Sequence, residues 1–306
     1  MTPLPSSQQL RYLVALADTL HVGRAAAVCA VSQSTLSTGL IALERAMGAA
    51  ILDRSAGKRV VFTSLGQELV VRARTALAAL RSVADAADAA RAPLAGGLRL
   101  GIIPTIGPFL LSRLMSTIRH IYPELHVALR EDRSARLLAN LQDGTLDMAI
   151  MAEPYPCDPA ETMPIARDEF VVALPRQHFL TVCDTIPLSA LAREPMLLLE
   201  DGHCLREQVL AACPTDSRIH EFAATSLHTL IHMVGSGFGV ALIPRLAAAG
   251  GLMRDSGAVL RRLDGAGAWR TISLAWLRDS RRSAEFRSLG PAVAAAIADV
   301  TANGSS

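Results

Sequence analysis

Residues 23–48 read GRAAAVCAVSQSTLSTGLIALERAMG, two short helical patterns separated by a break at Val31 and Ser32. In the second pattern Leu36, Leu40 and Leu43 recur three or four residues apart, the spacing of one helix face. Two short helices joined by so tight a turn form a helix-turn-helix. Short polar side chains, Ser32, Gln33, Ser34, Thr35, Ser37 and Thr38, fill the N-terminal half of the second helix. In such a motif that end meets base edges and phosphates in a major groove. Ser32 also suits a helix N-cap, and taken alone the polar run would serve equally as a solvated face.

Upstream, Leu10, Leu13, Val14, Ala17 and Leu20 stand at helical spacing and predict a first helix over residues 8–20. Downstream, LDRSAGKRVVFTSLG (52–66) sets Arg54, Lys58 and Arg59 around a glycine turn before the β-like Val60, Val61 and Phe62. That pattern predicts a basic hairpin wing able to grip phosphates; Arg24 adds a cation within the motif itself. Residues 1–92 hold ten Lys or Arg against six Asp or Glu, so the formal charge of +2 divides into +4 there and −2 beyond. A basic N-terminal third suits a nucleic-acid surface, because neutralising phosphates releases counterions. From Leu65 to Arg91, apolar Leu65, Leu69, Ala73, Ala76, Leu80, Val83, Ala87 and Ala90 step by four or three, the seam of a helix pair. A homodimer made this way would present two recognition helices to two half-sites of double-stranded DNA.

The PLAGG break at 93–97 marks a domain boundary. Beyond it LRLGIIP, PFLLSRLMSTIRHIY, LHVALRE, SARLLANLQDG and LDMAIMAE alternate short apolar runs with helical ones, a βαβαβ order that predicts a largely parallel sheet. A second set runs from DEFVVALP through helices at 204–212 and from Ser226 to strands near 259–263 and 271–276. It predicts a second α/β lobe, with crossing strands and a cleft between the lobes. At 306 residues and 51 % hydrophobic, the chain can fill several cores. No uninterrupted apolar run reaches about 18 residues, and MTPLPSSQQLRYL lacks the layout of a secretion signal. A cytoplasmic protein without a membrane partner is expected. Five cysteines, an odd number in a long chain, argue against a secreted disulfide framework. His228 and His232 stand four apart but lack the glutamate of a zinc-protease motif, so neither a metal nor another cofactor is expected.

The segment from Gly23 to Gly66, with Ser32-Gln33, Leu43-Glu44 and Thr63 paired with Gly66, resembles the LysR-type transcription regulators. The rest resembles their periplasmic-binding-protein-like effector domain. The similarity is greatest to peroxide-responsive members, through LRLGIIPTIGPFLL, LLLEDGHCLREQVLAAC, FAATSLHTLIHMV, GVALIP and RTISL. The resemblance implies a winged helix-turn-helix over 1–64, a linker and dimerisation helix over 65–92, and a two-lobed regulatory domain over 93–303. Lobe I would span about 98–166 and 271–303, and lobe II about 167–270. It further implies a dimer of dimers that binds promoter DNA, engages RNA polymerase and activates oxidative-stress genes when hydrogen peroxide oxidises Cys204, a regulator rather than an enzyme.

By the same resemblance Cys213 is the thiol that traps the sulfenic acid of Cys204, and Thr105, Ser134 and His203 line the peroxide pocket. The residues themselves place Cys204 at the start of the amphipathic run LREQVLAA, where helix N–H groups favour a thiolate, with Arg206 adding to that field. A continuous helix over 204–213 would hold the two Cα atoms roughly 13 Å apart, beyond the ~7 Å a disulfide tolerates, so bond formation requires unwinding. Two departures stand out: Ser37-Thr38-Gly39-Leu40 replaces the more usual Arg or Gln after the serine, and Ser134 replaces a usual threonine. Arg270 sits where it would make an interlobe contact or end a solvated strand, Cys29 reads as core, and Cys157 and Cys183 read as loop or edge residues. Left open is a LysR-type regulator whose cleft binds a small metabolite, with Cys204 and Cys213 as inert buried thiols.

Overall fold

The computed structural model describes residues 3–53, 59–89, 94–213, 218–264 and 268–303. The chain divides into two compact units, one built mainly from residues 1–90 and the other from Arg91–Gln142 and Leu146–Ser306.

In the first unit, α1 (Ser7–Thr19), α2 (Val22–Val28) and α3 (Gln33–Met47) enclose a core that includes Leu13, Leu16, Ala25, Leu36, Leu43 and Ile51. Helices α2 and α3 meet at 98°, the predicted helix-turn-helix. Ser32 caps α3 by accepting from the Thr35 N–H at 3.1 Å. Glu44 Oε1 accepts from the N–H groups of Ile51 and Leu52 at 2.9 and 3.2 Å and binds the end of α3 to the loop after it. Thr63 Oγ1 accepts from the Gly66 N–H at 2.9 Å and donates to the Ala50 carbonyl, starting α4 (Ser64–Ala89). A side chain at Gly66 would stand 2.2 Å from the Ile51 carbonyl oxygen, so only glycine fits.

The segment expected to form a hairpin wing is closed at its base by an antiparallel bridge between Leu52 and Phe62, with Val60 and Phe62 turned inward onto the core. Arg54 and Lys58 lie outside the described residues, and Arg59 is exposed. Leu69 and Ala73, expected on a helix-pair seam, pack into the helix-turn-helix core instead, because α4 must first cover α1. Leu80 and Val83 farther along are 54 % and 70 % exposed.

In the second unit, parallel β1 (Gly96–Ile102), β2 (Leu125–Glu131) and β3 (Met148–Glu153) alternate with α5 (Gly107–Ile121) and α6 (Ser134–Gln142). The sheet does not stay parallel. The long β4 (Ala160–Pro175) leaves this first lobe and returns through β10 (Trp269–Leu277), which runs antiparallel to both β3 and β4. Within the second lobe, β5 (Thr185–Pro187) pairs with β9 (Ala258–Asp264), and β9 and β8 (Ala241–Pro244) flank the far half of β4. A separate parallel pair, β6 (Met196–Leu199) and β7 (Ile219–Ala224), carries α7 (Cys204–Ala212) between its strands, and α8 (Leu227–Gly235) follows. A chain that must cross between lobes and come back has to run one crossing strand against the other, which the local βαβ pattern does not reveal. The short α9 (Arg245–Ala247) follows β8, and α10 (Ser283–Asn303) closes lobe I through Phe286, Leu289 and Val293. Each lobe has its own apolar core.

Gly66→Ala should destabilise the N-terminal unit by about 1–3 kcal/mol, the usual cost of forcing atoms into a filled site. Urea denaturation followed by circular dichroism reads it; an unchanged midpoint would mean that the Ile51 carbonyl yields freely.

Candidate functional site

Arg270 on β10 lies at the crossing between lobes and is fully buried. Its Nε donates to Asp168 Oδ2 at 3.0 Å, its Nη1 to Thr105 Oγ1 at 2.7 Å, and its Nη2 to the Thr105 carbonyl at 3.1 Å. Asp168 is its register partner on β4, and Asp168 Oδ1 also accepts from the Leu246 N–H at 2.9 Å. Of the two readings of Arg270, the interlobe contact is the one realised. Because Thr105 Oγ1 accepts from a cation, its own proton is polarised and directed elsewhere.

Cys204 is the first residue of α7 and is 3 % exposed. Burial pushes its thiol above the ordinary value, while the Ser134 hydroxyl, the Arg270 charge and the Leu205 backbone N–H pull the other way. The expected helix N-terminus is in place, but desolvation outweighs it, because the sulfur is enclosed by the lobe I core. Ser134 opens α6, is 1 % exposed, and its Oγ has no oxygen or nitrogen partner. Arg206 does not add to the field at the sulfur: its Nε pairs with Asp201 at 2.8 Å and its Nη1 donates to the Leu199 carbonyl.

His203, the N-cap position of α7, is 5 % exposed and makes no capping bond. Burial, then the Arg133 charge, lower its pKa, so the imidazole is neutral near pH 7. A hydrogen bond to the Thr225 backbone occupies the ring, and Nε2 is buried without a partner. Arg133 holds this turn from the lobe I side, donating to the Asp201 carbonyl at 3.0 Å and to Glu200 at 3.2 Å. Gly202, at φ 89°, supplies the left-handed backbone that the turn needs.

Thr105, Ser134, Arg270 and Cys204 therefore converge, with His203 adjoining. Cys213 does not join them. It caps the far end of α7 and packs against the lobe II core, whereas Cys204 belongs to the lobe I core. No disulfide joins the two. Sequence reasoning missed Gln208, which looks like a solvated helix residue but is 4 % exposed and donates to the carbonyls of Ala152 and Pro154 at 3.0 and 3.2 Å. Cys157 lies in the loop between β3 and β4, as expected, and is half-buried against the lobe I core beside Tyr155. Cys183 is exposed, and Cys29 is partly buried against the N-terminal core. Among the described residues no cluster of His, Cys, Asp and Glu is placed to hold a metal.

In the N-terminal unit, Arg24, Ser32, Gln33, Ser34, Thr35 and Thr38 are exposed and Ser37 is half-exposed. Ser32 Oγ stands 2.8 Å from both Ser34 Oγ and Thr35 Oγ1, which leaves Gln33, Ser37 and Thr38 on α3 outside that local hydroxyl network.

Residues 7–67 match the model of the bacterial regulatory helix-turn-helix proteins of the lysR family, and residues 91–297 match the LysR substrate binding domain. A probable hydrogen peroxide-inducible genes activator from Mycobacterium leprae is 38 % identical over 93 % of this chain and 92 % of its own length. Full-length OxyR from Pseudomonas aeruginosa, with a cysteine replaced by aspartate, superposes with a TM-score of 0.74 at 33 % identity over 95 % of this chain and 98 % of that one. An H2O2-bound cysteine-to-serine mutant of Corynebacterium glutamicum OxyR gives 0.69 at 32 % identity over 99 % and 96 %.

Asp168→Ala leaves the Arg270 guanidinium buried without its counter-charge and should cost about 3–5 kcal/mol, visible as a lower thermal midpoint of the regulatory domain; an unshifted midpoint would contradict the burial described. The rate of iodoacetamide alkylation at Cys204 should climb with pH to an inflection above that of free cysteine, because the folded environment raises its pKa. Ser134→Ala should move that inflection higher still, and one below neutrality would overturn this account of the thiol.

Proposed function

The chain belongs to the LysR family of bacterial regulatory proteins, and we propose that it senses hydrogen peroxide through Cys204 and answers at promoter DNA. The observation that carries this reading is a buried sulfur beside unspent hydroxyl donors: Ser134 Oγ without another partner, and Thr105 polarised by Arg270.

Cys204 attacks one peroxide oxygen as the thiolate, forming an S–O bond as the O–O bond breaks; the departing hydroxide takes up the thiol proton and leaves as water. Donors fixed before the reaction stabilise the charge on the leaving oxygen without reorganising. Thr105 and Ser134 supply them. Neutral His203 offers an acceptor for the proton in transit. The product is a sulfenic acid, which Cys213 displaces to give a disulfide and water.

That second step cannot occur on the helix as folded. Roughly 13 Å of helix must become at most ~7 Å, and Cys213 must leave the lobe II core while Cys204 leaves that of lobe I. Oxidation thus selects a different local fold, and its repacking is passed to neighbouring subunits of a dimer of dimers. Exposed Leu80 and Val83 on α4 supply apolar surface for the helix pairing within each dimer.

On DNA, we assign Gln33, Ser37 and Thr38 to base edges, and Arg24, Ser32, Ser34, Thr35, Arg54, Lys58 and Arg59 to the phosphate backbone. Recruitment of RNA polymerase to oxidative-stress genes, in the cytoplasm, completes the reading. The protein acts as a regulator rather than a turnover catalyst.

Footprinting of the reduced protein and of protein given a slight excess of peroxide tests this. The wild-type footprint should change on oxidation, while Cys204→Ser and Cys213→Ser should keep the reduced pattern. If peroxide changes nothing and a small metabolite does, the cleft is the receptor and the thiol reading fails.

A further inference from the structure

Cys204 has a second thiol beside it in its own core. Cys157 packs against the lobe I cluster to which Cys204 belongs, whereas Cys213 packs against the core of lobe II. Helix α7 is stitched to the segment that carries Cys157. Gln208, one turn along from Cys204 and therefore on the same helix face, donates to the carbonyls of Ala152 and Pro154 at 3.0 and 3.2 Å. Three residues beyond Pro154 comes Cys157, whose carbonyl accepts from the Ala160 N–H at 2.7 Å and closes the loop as β4 begins.

Building on the proposed oxidation of Cys204 by peroxide, we propose that Cys157 is a second resolving thiol, which captures the sulfenic acid of Cys204 within the lobe I core and leaves α7 wound. The sulfur of Cys157 displaces the sulfenic oxygen: an S–S bond forms, the S–O bond breaks, and the hydroxide leaves as water with the proton from Cys157. Hydrogen peroxide, consumed in forming the sulfenic acid, is the sole oxidant, so two thiols and one peroxide give one disulfide and two waters.

The electrostatics set the order of events. Burial, the Glu153 carboxylate and then the Cys204 sulfur push the Cys157 thiol up to about 11. Both thiols are raised by burial, but only at Cys204 do a hydroxyl donor, a cation and a helix N–H favour the anion, so oxidation falls first on Cys204. The bond between Cys157 and Cys204 spans helix to loop rather than lying along the helix, so it asks for a local shift of the loop and no unwinding. The result is a competing oxidised form that shields Cys204 from further oxidation without the refolding that drives the switch.

Trypsin separates the three thiols, since Cys157 falls in residues 137–167, Cys204 in 194–206 and Cys213 in 207–218. The full-length Cys213→Ser protein is treated with one equivalent of peroxide, alkylated, digested and read by mass. The expected result is a cross-link between 137–167 and 194–206, with loss of both free thiols and an unchanged far-ultraviolet circular dichroism. In the Cys157→Ser/Cys213→Ser double variant the reaction should stop at a dimedone-reactive Cys204. A persistent dimedone-reactive Cys204 with Cys157 still alkylatable in Cys213→Ser would overturn the pairing while leaving peroxide sensing intact. Absence of sulfenic acid on Cys204 in the double variant would instead overturn the peroxide reading and this inference with it.

Discussion

A guanidinium shut away from water must be given acceptors in every direction it points, and Arg270 imposes that demand where β4 and β10 cross between the lobes. A charge buried without partners would cost more than most domains have to spare. Asp168 on β4, with the hydroxyl and the carbonyl of Thr105 in the turn after β1, meets the demand. The strand register, the turn after β1 and the start of α9, through the Leu246 N–H on Asp168, are thereby tied to a single side chain. The same cation reaches the sulfur of Cys204, so the group that joins the lobes also favours the anion on which thiol chemistry depends.

The thiol stands between opposed effects. Enclosure raises its pKa and keeps it protonated, while Ser134, Arg270 and the first N–H of α7 favour the anion. Enclosure also strengthens every interaction inside the pocket, because little water is present to screen it. A small uncharged oxidant that can enter and accept hydrogen bonds meets the donors at full strength. Selectivity here comes from preset donors more than from a permanently ionised sulfur.

What could be read in the sequence was what is decided locally. The helix-turn-helix shows because Ser32 caps α3, Glu44 binds the loop after it and Thr63 starts α4 within a few residues of Gly66. Cys204 at the head of α7 shows because Gly202 and His203 precede an amphipathic run. Arg270 was ambiguous since its burial depends on partners from β4 and from the turn after β1. Gln208 escaped notice for the same reason: a polar helix residue looks solvated until the sheet it folds onto is known. The antiparallel return of β10 and the inward turn of Val60 and Phe62 are likewise set by packing across the fold.

Helix α7 is a wall shared by two cores, with Cys204 facing one and Leu205, Val209 and Cys213 the other. Any covalent bond that requires the helix to be dismantled carries the cost of that wall in its reduction potential. For a two-electron couple each 1.4 kcal/mol of lost packing raises the potential by about 30 mV. The disulfide proposed between the ends of α7 is therefore easier to reduce than one that leaves the helix wound. The stability of one short helix thus sets how long the molecule remembers an oxidant after it has gone.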